Sequence, residues 1–248
     1  IGLELSSVWK RLGSNVTVIE YLDHIVPGMD KDISAEFLKI LVKQGINFKL
    51  DSKVTGASAL KNKAIVNLTN NKSLKNEKIE CDKILIAVGR KSNINKDILN
   101  LGLKLDKQKK IQVNKKFETS IKNIYAIGDV IQGPMLAHKA EEEGIAVAEN
   151  IAGQSGHVNY DIIPAVIYTS PEVAAIGKTE EQLNELNIKY KIGKFPFIAN
   201  SRAKAIDESE GFVKILSDQK TDKVLGAHII GSHAGEMIAE IAIAMEFG

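Results

Sequence analysis

Residues Thr119 to Lys139 read TSIKNIYAIGDVIQGPMLAHK, and the order of residue types in this stretch decides the fold. An apolar run, Ile124 to Ile127, stops at Gly128-Asp129. A Gly133-Pro134 turn follows, and a helical pattern starts near Leu136. Strand, glycine, acid and helix form the arrangement expected at the crevice of an open α/β sheet, where a carboxylate at a strand end accepts hydrogen bonds from a sugar hydroxyl. The next helix aims its N-terminus at the same crevice. Its partial positive charge suits an anionic group by roughly 0.3–1 kcal/mol at an exposed site.

Upstream, Leu5, Val8, Trp9 and Leu12 share one face of a helical pattern that stops at Gly13, which predicts an inward apolar stripe. Val16 to Ile19 is a short apolar run of the kind found in buried parallel strands, closed by Glu20. Helix, glycine, strand and acid make the latter half of a dinucleotide-binding βαβ unit, whose acid contacts the adenine-ribose 2′-hydroxyl. Acids end many strands, so this half-motif is weak by itself. A carboxylate there repels a 2′-phosphate by roughly 4 kcal/mol per charge pair at about 4 Å and an effective dielectric of about 20. Tyr21-Leu22-Asp23 offer no arginine in compensation, so Glu20 favours NAD over NADP. Asp30 to Gln44 predicts a second amphipathic helix with Ile33, Phe37, Leu38 and Leu41 inward. Residues 46 to 80 alternate in short pieces between Asn-, Lys- and Ser-rich turns, a small antiparallel excursion. Ile84 to Val88 is then expected to return to the buried parallel sheet and to end at Gly89-Arg90.

Downstream, Ala137, Ala140, Gly144, Ala148 and Ile151 recur at helical spacing over about Leu136 to Ala152, small residues that allow close backbone approach. From Ile163 the pattern changes to Pro-bounded strands at Ala165 to Tyr168 and Val173 to Ile176. A helix follows with Thr179 and Gln182 in capping-box spacing and Leu183 and Leu186 inward. Further strands are expected at Lys189 to Phe197, Phe212 to Leu216 and Val224 to Ile230. The last helix, from about Ala234, gathers Met237, Ile238, Ile241, Ala242 and Met245 on one face. Polar runs at Lys91 to Lys96 and Gly153 to Asp161 divide the chain into 1–91, 92–159 and 160–248.

The 248 residues are 44% hydrophobic, and 33 basic against 31 acidic residues leave a net charge of +2. That balance implies no nucleic-acid or membrane partner, and Lys107 to Lys110 reads as a solvated turn. No apolar run approaches the roughly 18–20 residues of a membrane span, and no signal segment opens the chain. The expected compartment is the cytoplasm or an organelle interior. Cys81 is the one cysteine, which excludes an internal disulfide or thiol pair. With no neighbouring cysteine or histidine to activate it, Cys81 reads as a small half-buried residue. His138 has no second ligand at i+3 or i+4, so no metal site is expected.

Thr119, Tyr125, Ala126, Gly128 and Asp129, then Met135 to Ala140 and Glu141 to Gly144, match the second flavin motif of two-dinucleotide-domain flavoproteins. With Tyr168 to Val173, Phe195 to Lys204 and Gly235 to Ile238, the chain closely resembles the dihydrolipoamide dehydrogenase family of flavoprotein disulfide reductases. The resemblance implies an α/β chain in three pieces: a Rossmann-like NAD-binding domain without its first strand (1–91), a segment completing an FAD-binding domain (92–159), and an α+β dimerisation domain (160–248). It implies FAD contacts at Asp129, Met135, Leu136, Ala137 and His138, and NAD contacts at Ile1, Glu4, Glu20 and Gly89. Without it, Glu4 reads as a first-turn acid suiting the helix dipole, and Gly89 equally as a turn glycine. The implied partners are a second copy in a homodimer and the lipoyl-bearing acyltransferase of 2-oxoacid dehydrogenase complexes.

The family's redox-active cysteine pair, its upstream glycine-rich turn and its His-x-His-Pro motif are not among these residues, so no catalytic residue is expected here. The family's first strand is central in its sheet, and residues 1–91 are therefore not expected to fold alone as an NAD-binding domain. Two alternatives are a related NAD(P)-dependent disulfide reductase and a non-catalytic dimerisation fragment.

Overall fold

The computed structural model describes residues 1–248, which divide into two compact units: Ile1–Ala87 with Pro164–Gly248, and Val88–Ile163. In the first unit, α1 (Gly2–Arg11), β1 (Thr17–Ile19), α2 (Lys31–Lys43) and β2 (Asn47–Lys49) run in order. The strands β1 and β2 pair in parallel, Val18 opposite Phe48. The strands β3 (Ser52–Ala59), β4 (Ala64–Asn70) and β5 (Asn76–Cys81) form the expected antiparallel excursion.

Two expectations fail here, for a shared reason. Residues 84–88 form no strand, and Ile86 and Val88 are 78% and 92% exposed. A strand needs a neighbour to take its N–H and C=O groups, and β1 pairs with β2 alone. Likewise the predicted apolar face of α1 points outward: Leu5, Val8, Trp9 and Leu12 are exposed while Ser6 and Ser7 are buried. Leu3 packs on the core, and a side chain at Gly2 would meet Ala87 at 3.2 Å. Helical periodicity says which residues share a face, and packing decides which face meets protein.

The remainder of this unit is an antiparallel sheet ordered β6 (Ala165–Ile167), β7 (Glu172–Gly177), β10 (Val224–Gly231), β9 (Phe212–Asp218), β8 (Tyr190–Pro196). It carries α5 (Glu180–Glu185), α6 (Ser201–Ala205) and α7 (Ala234–Phe247). The capping box on α5 is present with both of its hydrogen bonds. Leu183 is buried as expected, but Leu186 caps the helix and is exposed. In α7, Ile238 is buried, and the helix packs on β7 and β10.

What joins the first 87 residues to this sheet is α2. Its Ile33, Phe37, Ile40 and Leu41 are buried in one core with Val173, Ile230 and Phe212, which stand opposite one another on adjacent strands. The same sheet face carries Lys214 and His228, two residues along their strands. Asp30 caps α2 through Asp32 N–H at 3.0 Å and also receives the Lys214 ammonium at 2.8 Å. Lys214 is 1% exposed and Asp30 is fully buried. Asp32 lies 3.2 Å from the same ammonium, Glu180 pairs with it more closely, and Tyr190 donates to Glu180 at 2.8 Å. Asp30, Asp32 and Glu180 stand close enough to share a cation, and the cation they share is the Lys214 ammonium. Burial pulls the Lys214 pKa down, but the Asp30, Glu180 and Asp32 carboxylates outweigh it and hold it above the ordinary lysine range.

Removing one member of a buried pair strands the other without water, at a cost of about 3–5 kcal/mol. Lys214→Met is therefore expected to lower unfolding stability by that order, and a joint Asp30→Asn change to recover part of it, read by denaturant titration. Burial also holds the His228 imidazole below its ordinary 6.5, with Nε2 on the Lys178 carbonyl at 3.1 Å. An imidazole kept neutral in the fold takes up protons more readily once unfolded. Its stabilising contribution is thus full above pH 6.5 and lost as pH falls below it. Replacing His228 with Phe should flatten that acid limb of the stability curve.

Candidate functional site

The second unit holds residues Thr119 to Lys139. A core of Ile111, Phe117, Ala126, Ile131 and Ala146 is ringed by half-buried aliphatics such as Leu103 and Val147. It is built largely from turns. One short helix, α3 (Lys96–Leu99), and one long helix, α4 (Ala137–Ile151), are its regular helices. The expected strand over Ile124 to Ile127 is extended chain with a single bridge, Tyr125 to Glu118. No neighbouring strand runs beside it to make a ladder. Residues Gly128–Val130 then close into a 3-10 turn.

Gly128 sits at φ +72°, and a side chain there would meet the Ala140 methyl at 3.2 Å. Gly144 likewise faces Ile127, 3.5 Å from where a β-carbon would stand. These two close approaches are the use made of the small residues in α4. Its buried face is a different one, formed by Lys139, Glu143 and Ala146. Ala137 and Ala148 are exposed, as is Ile151.

Lys139 and Glu143 are both 0% exposed and 2.9 Å apart. Glu143 accepts the Gly128 N–H at 2.7 Å, and Lys139 donates to the Gly128 carbonyl at 3.1 Å. Tyr160 donates to the other Glu143 oxygen at 2.6 Å. Burial and this carboxylate push the Tyr160 hydroxyl above the usual tyrosine range. The Lys139 stem also runs under Gly133, whose φ is +116° and where a side chain would meet Lys139 Cε at 2.7 Å.

Asp129 itself is 45% exposed, and its carboxylate pairs with Arg90. Its backbone carbonyl takes the Ser92 hydroxyl at 2.6 Å. Leu136, in extended conformation, precedes α4 without any side-chain cap, and the first turn has no acid. Met135, Leu136 and His138 are half-buried around that helix start. Asp129, Met135, Leu136, Ala137 and His138 thus all lie in this unit. Arg90, Ser92, Lys139, Glu143 and Tyr160 were not singled out from sequence. Lys139 and Glu143 lie within the matching stretches Met135 to Ala140 and Glu141 to Gly144, and their i, i+4 spacing usually marks an exposed pair.

The residues expected to meet NAD lie mostly in the first unit. Glu20 follows β1 with one carboxylate oxygen on the Leu22 N–H at 3.0 Å. Glu4 accepts the Tyr168 N–H at 3.0 Å, and Ile1 is exposed. Gly89, in the second unit, has φ +108° and nothing within 4 Å of where a side chain would start. Cys81 is half-buried and unpaired, with Sγ 3.7 Å from the Ala64 carbonyl. No helix is long and apolar enough to cross a membrane.

Comparison with known families gives two matches. Residues 1–144 match the model described as pyridine nucleotide-disulphide oxidoreductase. The chain belongs to that family. Residues 163–248 match the dimerisation domain of pyridine nucleotide-disulphide oxidoreductases. Among curated members of the family, the mitochondrial dihydrolipoyl dehydrogenase of Caenorhabditis elegans is 51% identical over 250 residues, covering all of this chain and 50% of the relative. The human mitochondrial dihydrolipoyl dehydrogenase is 53% identical over 251 residues, 49% of its length. Leghemoglobin reductase of Glycine max is 52% identical over 252 residues, 47% of its length. The chain spans about half the length of the curated relatives it matches. Among solved structures, the HOCl-induced flavoprotein disulfide reductase RclA of Escherichia coli superposes with a TM-score of 0.87 at 27% identity, over 100% of this chain and 56% of that one. LpdA of Mycobacterium tuberculosis gives 0.89 at 24% identity, over 99% and 53%, a likeness of fold.

Gly128 and Gly153 both have positive φ, but Gly153 opens onto empty space. Both alanines meet the left-handed penalty, so the 3.2 Å approach to Ala140 should make Gly128→Ala about 1–3 kcal/mol more destabilising to the second unit than Gly153→Ala. Hydrogen exchange of the α4 amides measures the difference.

Proposed function

We propose that these residues are part of a dihydrolipoyl dehydrogenase, which oxidises protein-bound dihydrolipoamide and reduces NAD in 2-oxoacid dehydrogenase complexes. The observation that carries this reading is the 51–53% identity to dihydrolipoyl dehydrogenases along the whole chain. In it, 1–91 is the NAD-binding part, 92–159 completes the FAD-binding domain, and 160–248 forms the homodimer interface. The lipoyl-bearing acyltransferase component is the macromolecular partner. The compartment is the mitochondrial matrix, since the two dihydrolipoyl dehydrogenases above are named mitochondrial, or a bacterial cytoplasm.

The donor set fits FAD. An exposed carboxylate at Asp129 suits a ribitol or ribose hydroxyl, and the uncapped start of α4 offers N–H groups to an anionic or electron-rich group. Met135, Leu136, Ala137 and His138 would line that position. When bound, FAD supplies the electron relay between a dithiol and NAD. Glu20 suits the adenine ribose, since its Oε2 has no hydrogen bond and can accept from a 2′-hydroxyl. Ile1, Glu4 and Gly89 would complete the NAD contacts. With Cys81 the only cysteine, dithiol exchange is assigned to residues outside these 248, and none here is assigned a catalytic role.

The competing reading is a related disulfide reductase with another substrate, favoured by the soybean relative's name at the same level of identity. Full-length protein is the material for the test. We expect it to carry flavin and to reduce NAD, not NADP, with dihydrolipoamide. Glu20→Ala should lower the NAD-over-NADP preference by about tenfold or more, the sign set by relief of carboxylate–phosphate repulsion. A flavoprotein that ignores dihydrolipoamide would replace this reading with the competing one.

A further inference from the structure

We propose that the buried pair of Lys139 and Glu143, braced by Tyr160, is a positioning device that sets Gly128-Asp129 and the 133–138 turn in register for FAD. The inference rests on the reading of this unit as flavin-binding and names residues that act on the site without touching the cofactor. Its basis is that one buried ion pair grips both polar groups of a single glycine. Glu143 takes the Gly128 N–H and Lys139 holds the Gly128 carbonyl, so the turn that presents Asp129 is fixed in two directions at once.

The same lysine reaches the second half of the site. Its stem passes so close under Gly133 that a side chain there would have to displace it, and Gly133 opens the turn into Met135 and His138. Lys139 stands on the first turn of α4, whose open N-terminus lies at the same place. Asp129 and the residues of the helix start are therefore set by one ammonium group, held in turn by Glu143. A hydrophobic pair could fill this buried face with less loss of solvation. What the charged pair adds is direction, because hydrogen bonds to charged groups are short and angle-dependent. Tyr160, donating to the second Glu143 oxygen, keeps the carboxylate from rotating off the Gly128 amide.

The test uses full-length protein and three variants: Tyr160→Phe, Glu143→Gln and Lys139→Met with Glu143→Gln together. Tyr160 is 47% exposed, so its variant folds even if the buried changes do not. For each, FAD affinity and the visible circular dichroism of bound flavin are read well below the melting temperature, beside the melting temperature itself. We expect Tyr160→Phe to weaken FAD binding by about three- to tenfold and Glu143→Gln by about tenfold or more. The flavin dichroism should change in both. A melting temperature that falls while FAD affinity and dichroism stay at wild-type values would overturn the inference, leaving a pair that only stabilises the fold. Wild-type protein that binds no FAD would overturn the flavin reading and this inference with it.

Discussion

An ammonium and a carboxylate taken out of water together must satisfy each other and every remaining donor, and that constraint governs the second unit through Lys139 and Glu143. Little regular structure supports the chain there, since residues 88–136 are mostly turns with isolated bridges. The pair supplies what a sheet ladder would otherwise give: fixed partners for the backbone of a glycine in a left-handed conformation. Around it the glycine can approach α4 only because Ala140 is small. The first unit meets the same constraint at Lys214, where Asp30 serves at once as helix cap and counter-ion. A single residue thereby ties the start of α2 to the sheet strand β9, 184 positions later.

Where a residue's role depends on its own neighbours in sequence, the sequence was readable. The capping box at Thr179 and Gln182, the limits of α2 at Asp30 and Gln44, and the strands of the five-stranded sheet are all of this kind. Each is set by short-range spacing, by turn residues or by alternation. Ile84 to Val88 and Ile124 to Ile127 have the composition of strands too, but composition cannot supply a neighbour. The outward face of α1 has the same origin.

The candidate site is announced by sequence in its exposed parts and not in its buried ones. Asp129, Glu20 and the helix start at Leu136 sit where a glycine, a strand end and a periodic pattern announce them. Lys139 and Glu143 carry the types normally found in solvent, and the small residues beside them drew attention to a different face of α4. Arg90 meets Asp129 from 39 residues away, and Tyr160 meets Glu143 from 17. Neither separation has a periodic signature.

In the proposed reading a flavin is held by Asp129 and the start of α4, and the curated relatives that the chain matches are about twice its length. The most direct measurement is a crystal structure of the full-length protein grown with FAD. The account predicts a sugar hydroxyl of the flavin within hydrogen-bond distance of the Asp129 carboxylate, with Gly128 still held by Glu143 and Lys139. A flavin bound elsewhere, with Asp129 facing solvent, would contradict it.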